Sequence, residues 1–229
     1  MSTNIDDYDT LRSLVGNALD CPGAGGNISV KDQPAGIMYI KSSGIDLKKN
    51  TFHPLDGVTV YDLDDDTWGG MKPSMEVSFH KKLKKYVLHY HPVYVNYWLC
   101  SKRFSLTPSK KFRSTTIEYF HPGTELADQL HFDTDVFFLK NHGVIIHSDN
   151  IQDIIDWYID IKERFMRKLN DYPFLSPDDA VLQNEETFIH HWAILGLQLF
   201  NGMEPNYMTQ DQIDKLNNDA NEKHRKEMK

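Results

Sequence analysis

Short strand-like runs alternate with amphipathic stretches along almost the whole chain, and that alternation restricts the fold more than any other feature. "GIMYIKSSG", "DGVTVYDL", "YVLHYH", "DVFFLK" and "GVIIHS" are rich in β-branched and aromatic residues and bounded by turn formers, as strands are. Between them, residues 8–19, "PSMEVSFHKKLKKY", "PVYVNYWLCS", residues 122–130, residues 150–170 and "EETFIHHWAILGLQLF" have apolar residues at helical spacing. Pro73 and Ser74 suit the start of the second helix. "GAGGN" reads as a glycine-rich turn, and the polar tail from Thr209 as a frayed helix. No repeat and no linker-like break interrupts the pattern. The expectation is one α/β domain over residues 1–229: a three-layer α/β/α arrangement with a central sheet covered by helices on both faces.

Charge narrows the partners. The formal net charge is −8, from 33 acidic and 25 basic residues, which argues against nucleic acid or an anionic membrane as partner. The basic runs "HKKLKK" and "SKKFR" are short and read as solvated surface. The polar, acidic "MSTNIDDYDT" does not resemble a targeting peptide, and no apolar run approaches a membrane span. Cys21 and Cys100 form no pattern. A reducing, cytoplasmic setting is expected.

The chemistry concentrates in "VLHYHP". Side chains alternate across a strand, so His89 and His91 share a face, about 7 Å apart along the chain. Two imidazoles so placed can grip one metal ion, which then needs a third protein ligand. A hydrogen-bonded structural pair fits the spacing equally well. His142, in "LKNHGVII", sits at a strand end and is one candidate for the third position. His80, His121, His131, His147, His190 and His191 compete, and spacing does not choose among them. Glu76 precedes the histidine strand at a helix start, where a carboxylate could serve the metal, act as a base, or merely suit the helix terminus. "GAGGNIS" and "KSSGID" could let backbone N–H groups approach an anion, but neither matches a P-loop or a dinucleotide fingerprint.

Taken in order, "GAGGNISVK", "IKSSGIDL", "KPSMEVSFH", "VLHYHP", "HPGTELA" and "LKNHGVII" resemble the successive motifs of the class II aldolase/adducin family, over roughly residues 10–170. Within that family the chain looks most similar to the fuculose- and rhamnulose-phosphate aldolases. The resemblance implies that His89, His91 and His142 hold one divalent metal per chain: Zn²⁺, with Mn²⁺, Co²⁺ or Fe²⁺ as alternatives. It implies Glu76 as catalytic acid/base, and Gly26, Asn27, Ser43, Gly44 and Ser74 around a substrate phosphate. The implied activity is cleavage of a ketose 1-phosphate to dihydroxyacetone phosphate and an aldehyde, by a homotetramer. Sugar-phosphate dehydratases, pentulose-phosphate 4-epimerases and a non-catalytic adducin-like scaffold are the alternatives. Two departures matter. Met75 stands where many relatives have a second serine, and the aldolases' proton-donating tyrosine has no motif-anchored counterpart, Tyr119 and Tyr207 being the candidates.

Overall fold

The computed structural model describes residues 3–47, 55–102, 104–166, 204 and 206–220. In chain order the elements are α1 (Asn4–Val15), β1 (Asn27–Asp32), a single 3-10 turn (Gln33–Ala35), β2 (Ile37–Lys41), β3 (Val58–Asp62) and β4 (Trp68–Gly69). There follow α2 (Val77–Lys82), β5 (Tyr86–Tyr90), α3 (Val93–Leu99), β6 (Ser114–Ile117), α4 (Thr124–Gln129), β7 (Val136–Leu139), β8 (Gly143–Ser148), α5 (Ile151–Met166) and α6 (Gln210–Asn218).

All eight strands form one sheet in the order β4-β3-β2-β1-β5-β8-β7-β6. Every adjacent pair is antiparallel except β6–β7. Strand alternation then builds the layers. Ile28 and Val30 of β1, Leu88 and Tyr90 of β5, and Val144 and Ile146 of β8 pack with buried residues of α1, α3 and α5. Val87 of β5 and Ile145 of β8 face the other way, against Phe79 and Leu83 on or just beyond α2 and Leu126 and Ala127 of α4. The expected three layers are present. The same alternation turns Asn27, Ser29 and His89 toward the α2 side.

Boundaries moved for local reasons. α1 begins at Asn4, before the expected Tyr8, because Thr3 and Asp6 form a capping box: the Thr3 hydroxyl accepts from the Asp6 N–H, and the Asp6 carboxylate from the Thr3 N–H. α2 is shorter than "PSMEVSFHKKLKKY". Pro73 pairs with Ser42 as an isolated bridge, and the Ser43 and Ser74 N–H groups donate to the Lys72 and Lys41 carbonyls, so residues 72–74 are extended and helix starts only after Glu76. The glycine-rich turn opens directly into β1, a strand between β2 and β5 that the glycines mask in the sequence. β6, four half-buried residues with no apolar alternation, is likewise masked in the sequence. The tail beyond Thr209 holds a capped helix with Leu216 buried. The expected helix over residues 185–200 lies outside the described residues.

Candidate metal centre and active site

The pairing register brings the site together. On β1 and β5, Asn27 lies opposite His89 and Ser29 opposite Val87, while on the other side His89 pairs with Ile145 of β8. β8 starts right after a tight turn, in which Asn141 takes a left-handed backbone (φ 55°) and the His142 N–H donates to the Leu139 carbonyl. The Asn96 amide donates to the His142 carbonyl at 3.1 Å, and the His91 N–H donates to the Asp20 carbonyl at 3.0 Å. Gly143 is required here: a Cβ would sit 2.5 Å from the Tyr90 carbonyl oxygen and 2.8 Å from Cδ2 of His91.

His89, His91 and His142 therefore converge, all buried, each offering a ring nitrogen within 4.8 Å of the other two. The Nε2 of His89 lies 3.2 Å from that of His142 and 3.0 Å from that of His91. Nδ1–H of His89 donates to the Val144 carbonyl at 3.0 Å. Burial first, then the neighbouring His91 and His142, hold its pKa well below the ordinary histidine value. His89 is thus neutral, with its Nε2 lone pair facing the cluster, the form a metal ligand needs. Nitrogens bound at 2.0–2.1 Å around a tetrahedral ion stand about 3.3 Å apart, close to the spacing found. The donor set fits a divalent cation.

Glu76 lies beside two of the three. Its Oε2 is 3.4 Å from Nε2 of His89 and its Oε1 3.5 Å from Nε2 of His142. The Asn27 amide donates to Oε2 at 2.5 Å and to the Ser74 hydroxyl at 3.1 Å. The segments expected around phosphate run side by side. The antiparallel Ser42–Pro73 bridge sets Ser43 opposite Lys72 and Ser74 opposite Lys41, and the buried Lys41 ammonium donates to the carbonyls of Ala24 and Ile45, tying the two glycine-bearing loops together. Gly26 (φ 66°) has no room for a side chain, since a Cβ would meet Sγ of Cys21 at 2.6 Å and the His89 carbonyl at 2.9 Å.

The competing histidines go elsewhere. His147 donates to the Thr134 carbonyl and accepts from the Lys84 N–H, His121 faces Asp219 at 3.1 Å, and His131 is exposed. His190 and His191 lie outside the described residues. His80, a candidate third metal ligand by sequence, is instead buried behind the site against Asn27 and Ser29; the sequence gives it no role there, and gives Ser29 none. Its position four residues after Glu76, one helical turn on, is the signal that could have found it. Tyr119 is half-buried just beyond β6, and Tyr207 is 63% exposed. Lysines of "HKKLKK" serve the fold: Lys81 pairs with Asp66, Lys82 with the Ala127 carbonyl and Lys84 with Asp135.

A family model described as class II aldolase and adducin N-terminal domain matches residues 9–167. Among solved structures, YgbL of Klebsiella pneumoniae, described as a candidate aldolase/epimerase/decarboxylase, is 19% identical, covers 94% of this chain and 99% of its own, and superposes with a TM-score of 0.59. The N-terminal class II aldolase domain of a Thermoplasma acidophilum protein is 22% identical over 74% of this chain and 95% of its own (TM-score 0.60). L-fuculose 1-phosphate aldolase of Glaciozyma antarctica is 16% identical over 86% and 90% (TM-score 0.55). At these identities the structures show a shared fold. No curated protein sequence matches the chain significantly.

Proposed function

This chain belongs to the class II aldolase and adducin N-terminal domain family, and from that premise we propose that it is a metal-dependent sugar-phosphate aldolase. It cleaves a ketose 1-phosphate to dihydroxyacetone phosphate and an aldehyde. His89, His91 and His142 hold the metal, Zn²⁺ by preference, and Glu76 is the acid/base. Gly26, Asn27, Ser43, Gly44 and Ser74 receive the phosphate end of the substrate. The observation that carries this reading is the Glu76 carboxylate, 3.4 and 3.5 Å from two of three convergent, buried imidazoles.

A divalent ion in that cluster supplies Lewis acidity that polarises the substrate carbonyl. The remaining chemistry belongs to the chain. When the C3–C4 bond breaks, its electron pair moves toward the C2 carbonyl, and C3 then needs a proton. Glu76, one carboxylate at the edge of the cluster, returns that proton to C3 and removes it in the reverse direction. The proton of the C4 hydroxyl leaves to a second group, for which Tyr119 and the exposed Tyr207 are the candidates. Burial of the three histidines and of Glu76 keeps bulk water from the carbon being protonated.

Glu76→Gln tests the reading, because it keeps the shape and removes the base. Metal content and folding should stay near normal, while exchange of the C3 proton of dihydroxyacetone phosphate with deuterated solvent falls roughly 10²–10⁴-fold. Undiminished exchange in the metal-loaded variant would take Glu76 out of the mechanism. A parent protein that exchanges no proton, yet dehydrates or epimerises a pentulose phosphate, would move it to those relatives. The protein should act as a cytoplasmic homotetramer, and a monomer in sedimentation at micromolar concentration would overturn that assembly. Among the described residues no helix is long and apolar enough to cross a membrane.

A further inference from the structure

Behind Glu76 runs a buried chain of polar side chains: Ser29, His80, Asn27, Glu76. Ser29 Oγ is 2.7 Å from Nδ1 of His80. Nε2 of His80 contacts Oδ1 of Asn27, and Nδ2 of Asn27 reaches Oε2 of Glu76 at 2.5 Å and Oγ of Ser74 at 3.1 Å. Ser29 and His80 are fully buried, Asn27 is 2% exposed and Glu76 6%.

The Asn27 amide sets the protons in this chain. Its NH₂ group donates to both Glu76 and Ser74. That turns the Asn27 carbonyl oxygen toward His80, and since this oxygen only accepts, Nε2 of His80 must carry the hydrogen. The ring is neutral: burial, with the nearby Lys31 charge as a smaller cause, holds its pKa well below the ordinary value. Nδ1 is then an acceptor, and the Ser29 hydroxyl donates to it. Phe79 clamps the arrangement, stacked on His80 at 4.6 Å and set edge-on to His89 at 5.6 Å.

We propose that His80 is a positioning residue: as the Nε2–H tautomer it fixes the Asn27 amide, which in turn holds the Glu76 carboxylate. This rests on the reading of Glu76 as acid/base. Both N–H bonds of the Asn27 amide are directed to Glu76 and Ser74. A consequence follows from amide chemistry. Asn27 has no labile proton to pass on at neutral pH, so the chain orients Glu76 without draining its proton into the core. Glu76 exchanges protons only on its substrate side.

The test uses the full-length, metal-loaded protein. Long-range ¹H–¹⁵N spectra should show His80 as the neutral Nε2–H tautomer at neutral pH; an Nδ1–H tautomer or an imidazolium would overturn the assignment. His80→Leu should keep its metal and its KM for dihydroxyacetone phosphate while kcat for proton exchange falls roughly 10–100-fold, the usual cost of losing an outer-shell partner. His80→Gln restores an N–H near the position of Nε2 and should recover most of that loss. Equal losses in the two folded, metal-loaded variants would reduce His80 to packing and sink the proposal. Should His80→Leu fail to fold, the smaller change Ser29→Ala should mix the tautomers and slow exchange several-fold; an unchanged tautomer and rate would count against the chain. A parent with His80 as Nε2–H but no exchange would overturn the role of Glu76 and leave the orientation chain standing. A parent that exchanges, with His80 as Nδ1–H, would do the reverse.

Discussion

Asn141 and Asn206 exchange hydrogen bonds across 65 positions of sequence: the Asn141 amide donates to the Asn206 carbonyl at 2.5 Å, and the Asn206 amide donates to Oδ1 of Asn141 at 2.6 Å. The Asn206 N–H also donates to the Cys100 carbonyl at 2.6 Å. Asn141 is the left-handed residue immediately before His142. The segment leading into α6 is therefore fastened to the turn that presents one of the three clustered histidines. α6 continues the attachment, with Lys215 paired to Glu125 and Asp219 to His121 on and beside α4.

Loosening that fastening should be felt at the metal. Asn206→Ala deletes the bond to Oδ1 of Asn141, which is expected to cost about 1 kcal/mol of stability and to weaken metal affinity by up to about tenfold. Competition against a chromogenic chelator measures the affinity, and an unchanged value would show that the turn holds His142 unaided.

The cluster makes a direct prediction. The purified protein should carry about one divalent ion per chain. His89→Ala and His142→Ala should each lose it in elemental analysis. Full occupancy in His142→Ala would mean that the third ligand is a different residue.

Gly143→Ala should act on the same site by another route. Its Cβ would press on the Tyr90 carbonyl and on His91, and Tyr90 and Val144 are paired in the sheet and cannot spread. Overpacking of this kind costs about 1–3 kcal/mol, here with loss of bound metal. Gly69→Ala, where nothing lies within 4 Å of the new Cβ, is the matched control and should be close to neutral in thermal unfolding.

Acid should destabilise the fold through His147, away from the cluster. Burial pushes its pKa down to about 4, against about 6.5 when unfolded. Between those values the unfolded chain binds the extra proton, so the stability is present above pH 6.5 and drains away as pH falls toward 4. The loss is on the order of 3 kcal/mol for this group. Urea titrations across that range should show the slope, and His147→Gln should flatten it while lowering the plateau. An unchanged slope would remove His147 from the acid response.

Periodicity alone placed β2, β3, β5, β7 and β8 and the helices α1, α3, α4 and α5 close to where they lie, because burial of one face writes a period of 2 or 3.6 into the chain. The six ordered motifs carried the family and put His89 and His91 on one strand face, which needs nothing beyond strand geometry. β1 was hidden because its neighbouring glycines signal a turn, whereas its place between β2 and β5 comes from pairing with strands that follow it. Spacing left His142 level with six other histidines, until the turn at Asn141 and the β5–β8 register brought its ring to His89. Asn27 and His80 stand 49 positions before and four positions after Glu76, and nothing local reveals that the first hydrogen-bonds both the others. Alternation along a strand decides which way a side chain faces; which side chains then meet is set by register and by the packing of α2 on the sheet, and those exist only once the chain has folded.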